Sequence, residues 1–149
     1  MEIKQQLYIA CKNYIEQRIA TIEKAIHSAR EASTDDTKSS AGDKYETTRE
    51  MMQQEIDRNA TQLNEALKLK QVITAINPEH SSAVIQPGSL AITNNGSFYI
   101  AISAGALNIN GANYFAVSAA SPIGAKLMKL KKGDSFQFNG KTYSISDVY

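Results

Sequence analysis

The first 76 residues place their apolar side chains at helical intervals. Ile3, Leu7, Ala10 and Tyr14 step by four, three and four, and Ile15, Ile19, Ile22, Ile26 and Ala29 extend the stripe. Apolar groups so spaced lie on one face of a helix, with Lys, Glu, Gln and Arg filling the remainder. A second stripe, Met52, Ile56, Asn59, Leu63, Ala66, Lys70 and Ile73, alternates four and three in the manner of a coiled-coil seam, with polar Asn59 and Lys70 as register-setting interruptions. Neither stripe is sheltered by its own helix. The segment Ala32 to Asp43 is rich in Ser, Thr, Asp and Gly and predicts a tip loop near residues 32–44. Two helices joined by such a loop form an antiparallel hairpin, each arm roughly 45 Å long at about 1.5 Å per residue.

After Asn77-Pro78 the period changes. Ser89 to Thr93 and Ser97 to Ile102 flank Asn94-Asn95-Gly96, and Phe136-Gln137-Phe138 and Lys141 to Ile145 flank Asn139-Gly140. Alternating apolar positions on both sides of an Asn-Gly turn predict β-hairpins. Tyr114 to Val117 predicts a further strand. Ser121 is a good helix N-cap and Pro122 suits the first helical position; Ile123, Leu127 and Leu130 share a face, and Gly133 ends the helix. The expected architecture is α+β: a helical coiled-coil hairpin over residues 1–76, then a small antiparallel sheet domain with one short helix over 77–149.

Composition sharpens this division. Residues 1–76 contain no proline and a single glycine, whereas 77–149 hold all three prolines and seven glycines. Residues 1–76 carry eleven Lys+Arg against twelve Asp+Glu; residues 77–149 carry five against three. A net charge of +1 argues against holding nucleic acid by bulk electrostatics. No apolar run reaches the length of a membrane span, and the N-terminus lacks the apolar segment of a signal peptide, so a cytoplasmic protein with no membrane contact is expected.

Enzymatic constellations are poor. Cys11 is alone and sits in the helical stripe, where an inert buried thiol is the ordinary outcome. His27 and His80 fall in different halves and read as surface residues. No glycine pattern matches a phosphate-binding loop. The tip is the exception: between Glu31 and Glu46 lie five carboxylates, including Asp35, Asp36 and Asp43, against Lys38 and Lys44. Carboxylates are hard ligands for magnesium, which takes only one or two from a protein and completes its shell elsewhere, so such a tip could finish a site half supplied by another macromolecule. Lys126, Lys129, Lys131 and Lys132 form a second charged cluster, either a solvated helix face or a dock for an acidic surface.

The order of parts resembles the GreA/GreB transcript-cleavage factors of bacterial RNA polymerase. The local match runs from Phe115-Ala116-Val117-Ser118 through Ser121-Pro122-Ile123-Gly124, Leu127 and Lys132-Gly133-Asp134 to Tyr143-Ser144-Ile145-Ser146-Asp147-Val148-Tyr149, with Tyr45, Arg49 and Glu50 at the start of the second helix. The resemblance implies an FKBP-like sheet domain that grips the rim of the polymerase secondary channel, placing Ser121, Pro122, Ile123 and Lys126 near the docking surface. It implies a hairpin tip that enters the channel and shares a magnesium ion with the polymerase. The factor would be no enzyme itself. It would stimulate the polymerase's own cleavage of backtracked RNA, acting as a monomer with only indirect contact to nascent RNA and reaching DNA only through the polymerase. Counting back from Tyr45, the family's two catalytic carboxylate positions fall on Lys38 and Ala41. Asp35, Asp36 and Asp43 are therefore the candidate catalytic residues, with Asp35 and Asp36 as magnesium ligands. The alternatives are a non-cleaving channel modulator and a coiled-coil adaptor; a prolyl isomerase is a weaker rival, given no Trp and four Phe.

Overall fold

A computed structural model describes the backbone of residues 2–39 and 43–149, and the side chains of residues 2–32 and 47–149. The chain is α+β. Two long helices, α1 (Glu2–Ser39) and α2 (Asp43–Thr74), precede six strands: β1 (Leu90–Thr93), β2 (Gly96–Ala101), β3 (Gly105–Ile109), β4 (Ala112–Ser118), β5 (Ser135–Phe138) and β6 (Lys141–Val148). A third helix, α3 (Pro122–Leu127), lies between β4 and β5.

The helices run further than the composition of the tip suggested. Most of the segment expected as a loop, residues 32–39, is the last part of α1. No proline interrupts it and its first glycine is Gly42, while Ser, Thr and Asp each cost a helix only tenths of a kcal/mol. The buried face of α1 also differs in detail from the first stripe: it runs Lys4, Leu7, Cys11, Ile15, Ile19, Ile22, Ile26 and Ala29, while Tyr14 is exposed. These positions repeat at threes and fours, so the seam is continuous once Lys4 and Cys11 are counted in it.

The chain divides into two compact units, one of residues 1–14 with 71–149 and the other of residues 15–70. The second unit is a helical hairpin in which five α1 positions from Ile15 to Ala29 are buried. On α2, Ala66 is fully buried and Met52, Ile56, Asn59 and Leu63 are half-buried. A groove of about 280 Å³ lies between the helices, lined by Glu23, Ile26, His27 and Arg30 of α1 and Leu63 of α2.

In the first unit the strands form one sheet in the order β3-β4-β2-β1-β6-β5. The sheet is mixed, not antiparallel as expected. β2 and β4 run parallel, with Phe98 opposite Phe115 and Ile100 opposite Val117, because β3 intervenes and carries the chain back before β4 begins. β3 was not foreseen. One face of the sheet packs Ala91, Phe98, Ile100, Tyr143 and Ile145 against Leu127 of α3 and Ile85. The opposite face includes Leu90 and Tyr99, both fully buried. There the Tyr99 phenol lies close to Tyr8 and Cys11 of α1, so the first turns of α1 are part of this unit's core. Ile73 in the last turn of α2 and Ile76 just beyond the helix are buried in the same unit.

Candidate functional site

The segment Ser118 to Leu127 builds the only short helix among the described residues, and its geometry follows from its sequence. Ser121 has extended backbone angles (φ −66°, ψ 157°), and its Oγ accepts the Gly124 N–H at 3.1 Å, satisfying one of the orphan donors of the first turn. The same hydroxyl donates to the Ser118 carbonyl at 2.6 Å, and the Ser121 N–H donates to Ser118 Oγ at 3.1 Å. Pro122 starts the helix with its φ already set. Gly124 must be glycine for space rather than for its dihedral angles: a Cβ there would overlap the Ser118 carbonyl oxygen and press on Ser121 Oγ.

These contacts divide the four expected docking residues. Ser121 is committed to the cap, and Ile123 is half-buried against the core, so both shape the helix from within. Pro122 and Lys126 are exposed, four residues apart on its outer side. They are what this segment presents to solvent.

The lysine cluster is not a helix face. α3 stops at Leu127, with Met128 as its C-cap donating to the Gly124 carbonyl, and Lys129 adopts a left-handed conformation (φ 72°). Lys129 N donates to the Ile85 carbonyl at 2.9 Å, Ile85 N donates to the Leu130 carbonyl at 2.8 Å, and Val84 bridges Lys131. This pairing with residues 84–85 draws the chain out of the helix five residues before Gly133. Lys131 N donates to Asp134 Oδ2 at 3.0 Å, and Lys132 Nζ lies 3.7 Å from Asp147, an exposed pair of small energetic weight.

The side chains of the expected tip residues Asp35, Asp36 and Asp43 lie outside the described residues, as do Lys38, Ala41 and Tyr45. Arg49 and Glu50 are exposed on α2. Among the described residues no three His, Cys, Asp or Glu side chains converge as metal ligands. His27 is exposed and its Nε2 lies 3.2 Å from Glu31 at the next helical turn. His80 is exposed too, and its structural contribution is its carbonyl, which accepts the Lys4 ammonium at 2.6 Å.

Cys11 is fully buried, and burial pushes its thiol up to about 12, leaving negligible thiolate at neutral pH. The sequence reasoning missed two buried polar groups. Lys4 is only 2 % exposed and, with that burial lowering its pKa, it ties the first turn of α1 to the segment leading into β1. Tyr99 is fully buried and its hydroxyl has no hydrogen-bond partner among the described residues; burial, then Cys11 and Tyr8, push its pKa up. The signal for Lys4 was its position three residues before Leu7 and seven before Cys11 on the seam.

No helix among the described residues is long and apolar enough to cross a membrane. No protein-family model matches the chain, and no curated protein matches it.

Proposed function

We propose that this protein is a Gre-like regulator that binds RNA polymerase at its secondary channel and inserts the hairpin tip toward the active site. The observation that carries this reading is the capped Ser121-Pro122-Ile123-Gly124 block, displayed on a mixed-sheet unit in a chain whose other unit is a helical hairpin. In the GreA/GreB proteins that the sequence resembles, such a block belongs to the domain that grips the polymerase. Pro122 and Lys126 supply an apolar contact and a cation for an acidic rim, a combination that sets partner choice and approach rate more than affinity. A near-neutral net charge suits a protein partner better than free nucleic acid.

Cleavage of backtracked RNA would then be the polymerase's own chemistry. The tip carboxylates Asp35, Asp36 and Asp43 would help to hold a magnesium ion whose charge activates water and steadies the displaced oxygens. No cofactor of its own is called for. The second reading is a modulator that occupies the channel without stimulating cleavage, and what favours it is Lys38 and Ala41 at the two positions where the family carries its acidic pair.

The test uses the full chain with the cognate polymerase. Co-sedimentation should show binding that Lys126→Glu combined with Pro122→Ala weakens by roughly tenfold or more, equivalent to about 1.4 kcal/mol. Accelerated RNA release from stalled, backtracked complexes distinguishes the cleavage factor from the modulator. Failure of the wild-type chain to bind polymerase at all would remove both.

A further inference from the structure

Three Asn-Gly dipeptides occur in this chain: Asn110-Gly111 and Asn139-Gly140 make two-residue β-hairpin turns, whereas at Asn95-Gly96 the turn is Asn94-Asn95 and Gly96 opens β2 opposite Thr93. Asn-Gly suits two-residue turns because both positions tolerate positive φ. It also carries a chemical hazard, since no side chain on the following residue shields the Asn carboxamide from the next backbone nitrogen. The structure treats the three sites differently.

At Asn95 the carboxamide is held: Nδ2 donates to the Thr142 carbonyl at 2.9 Å, and Asn95 N donates to Thr93 Oγ1 at 3.1 Å. At Asn110 the attacking nitrogen is held, because Gly111 N donates to Asn108 Oδ1 at 3.2 Å; Asn110 Nδ2 also reaches Gln6 Oε1 at 3.4 Å. Asn139 and Gly140 are both exposed, with φ of 49° and 77°, and no hydrogen bond occupies either the Asn139 carboxamide or the Gly140 N–H among the described residues.

We propose that Asn139 is a site of spontaneous deamidation and isoaspartate formation in the folded protein. Gly140 N, losing its proton to solvent base, attacks Asn139 Cγ. The Cγ–Nδ2 bond breaks and the nitrogen leaves as ammonia with a proton from solvent, closing a five-membered succinimide. Water then opens the ring at either carbonyl, giving aspartate, or isoaspartate with the main chain rerouted through the side chain. No oxidant or enzyme is needed. Either product places a carboxylate two residues from Lys141. The isoaspartyl product also adds a backbone methylene to the turn that sets Phe136 opposite Tyr143 and Phe138 opposite Lys141.

The experiment incubates the full-length folded chain at mildly alkaline pH and maps its peptides by mass spectrometry, with labelling by an isoaspartyl methyltransferase as the second readout. Asn139 should convert several-fold faster than Asn95 or Asn110. In urea, where the protecting hydrogen bonds are lost, the three rates should converge. Asn108→Ala releases Gly111 N and should raise the rate at Asn110 while leaving Asn139 unchanged. Equal rates in the folded chain, or faster conversion at Asn95 or Asn110, would overturn the assignment.

Discussion

At the scale of single residues, the site depends on atoms that a sequence pattern does not weigh. Gly124 is the clearest. Its neighbours are the Ser118 carbonyl and the Ser121 hydroxyl, and neither can move without breaking the cap they form together. Gly124→Ala should therefore destabilise the protein by roughly 1–3 kcal/mol, the usual range for overpacking, although alanine is the better helix former. Ser121→Ala, which only deletes the cap, should cost about 1 kcal/mol. Chemical denaturation of both variants checks the order; a Gly124→Ala protein as stable as wild type would show that the segment relaxes freely. Cys11 gives a pH prediction. Its thiol ionises near 9 when unfolded and near 12 when folded, so across that window the unfolded chain binds fewer protons and stability falls as pH rises. Tyr99 acts in the same direction, while Lys4, with its pKa lowered, makes stability rise as pH climbs toward 10.5. Replacing Cys11 with Ala should flatten the alkaline decline in denaturation midpoint relative to wild type. An unchanged slope would mean that Cys11 does not carry it.

At the scale of elements, local chemistry was legible and long-range pairing was not. The Asn94 to Gly96 and Asn139-Gly140 turns, the Ser121 cap and the isoleucine stripe of α1 are each written within a few residues, because turns, caps and amphipathic faces are local. β3 carried the same kind of signal in Leu107, Ile109 and Asn110-Gly111, but its short run of small and polar residues is a weak strand pattern. The parallel pairing of β2 with β4 and the early end of α3 had no local signal. Both are decided by partners distant in sequence, β4 for β2 and Ile85 for Lys129. The Ser121-Pro122-Ile123 turn and Lys126 could be singled out from the sequence, but not the division in which Ser121 and Ile123 face inward and Pro122 and Lys126 face out. The same non-local logic governs the beginning of α1. Leu7 with Ile73 and Ile76 is buried in the sheet's unit, and each such side chain contributes about 1.5–3 kcal/mol. Together that approaches the whole stability of a small domain, about 5–15 kcal/mol. A fragment of residues 77–149 should consequently melt without a cooperative transition and bind an apolar dye. A cooperative melt matching the full chain would show that the sheet does not need the helices.

At the scale of the molecule, the proposed function assigns different work to different places in the sequence, and so predicts separable losses. Pro122 and Lys126 would govern affinity for the polymerase; Asp35, Asp36 and Asp43 would govern what happens once it is bound. The triple variant Asp35→Asn, Asp36→Asn and Asp43→Asn removes three formal charges without shortening a side chain, so it withdraws metal affinity while leaving most of the tip's shape. Its binding to polymerase should stay within about twofold of wild type, while any stimulation of RNA cleavage should fall by roughly a hundredfold, the scale expected when ligands to a catalytic ion are lost. The docking variant should show the reverse: reduced stimulation at low concentration, restored when the protein is in excess. The two titration curves separate the cases without any structural knowledge of the complex, because one loss is recovered by mass action and the other is not. If the triple variant stimulates cleavage as well as wild type, the carboxylates take no part in holding the ion. If wild type binds, competes for the channel and stimulates nothing, Lys38 and Ala41 mark the positions where a cleavage factor's acidic pair has given way to a channel modulator.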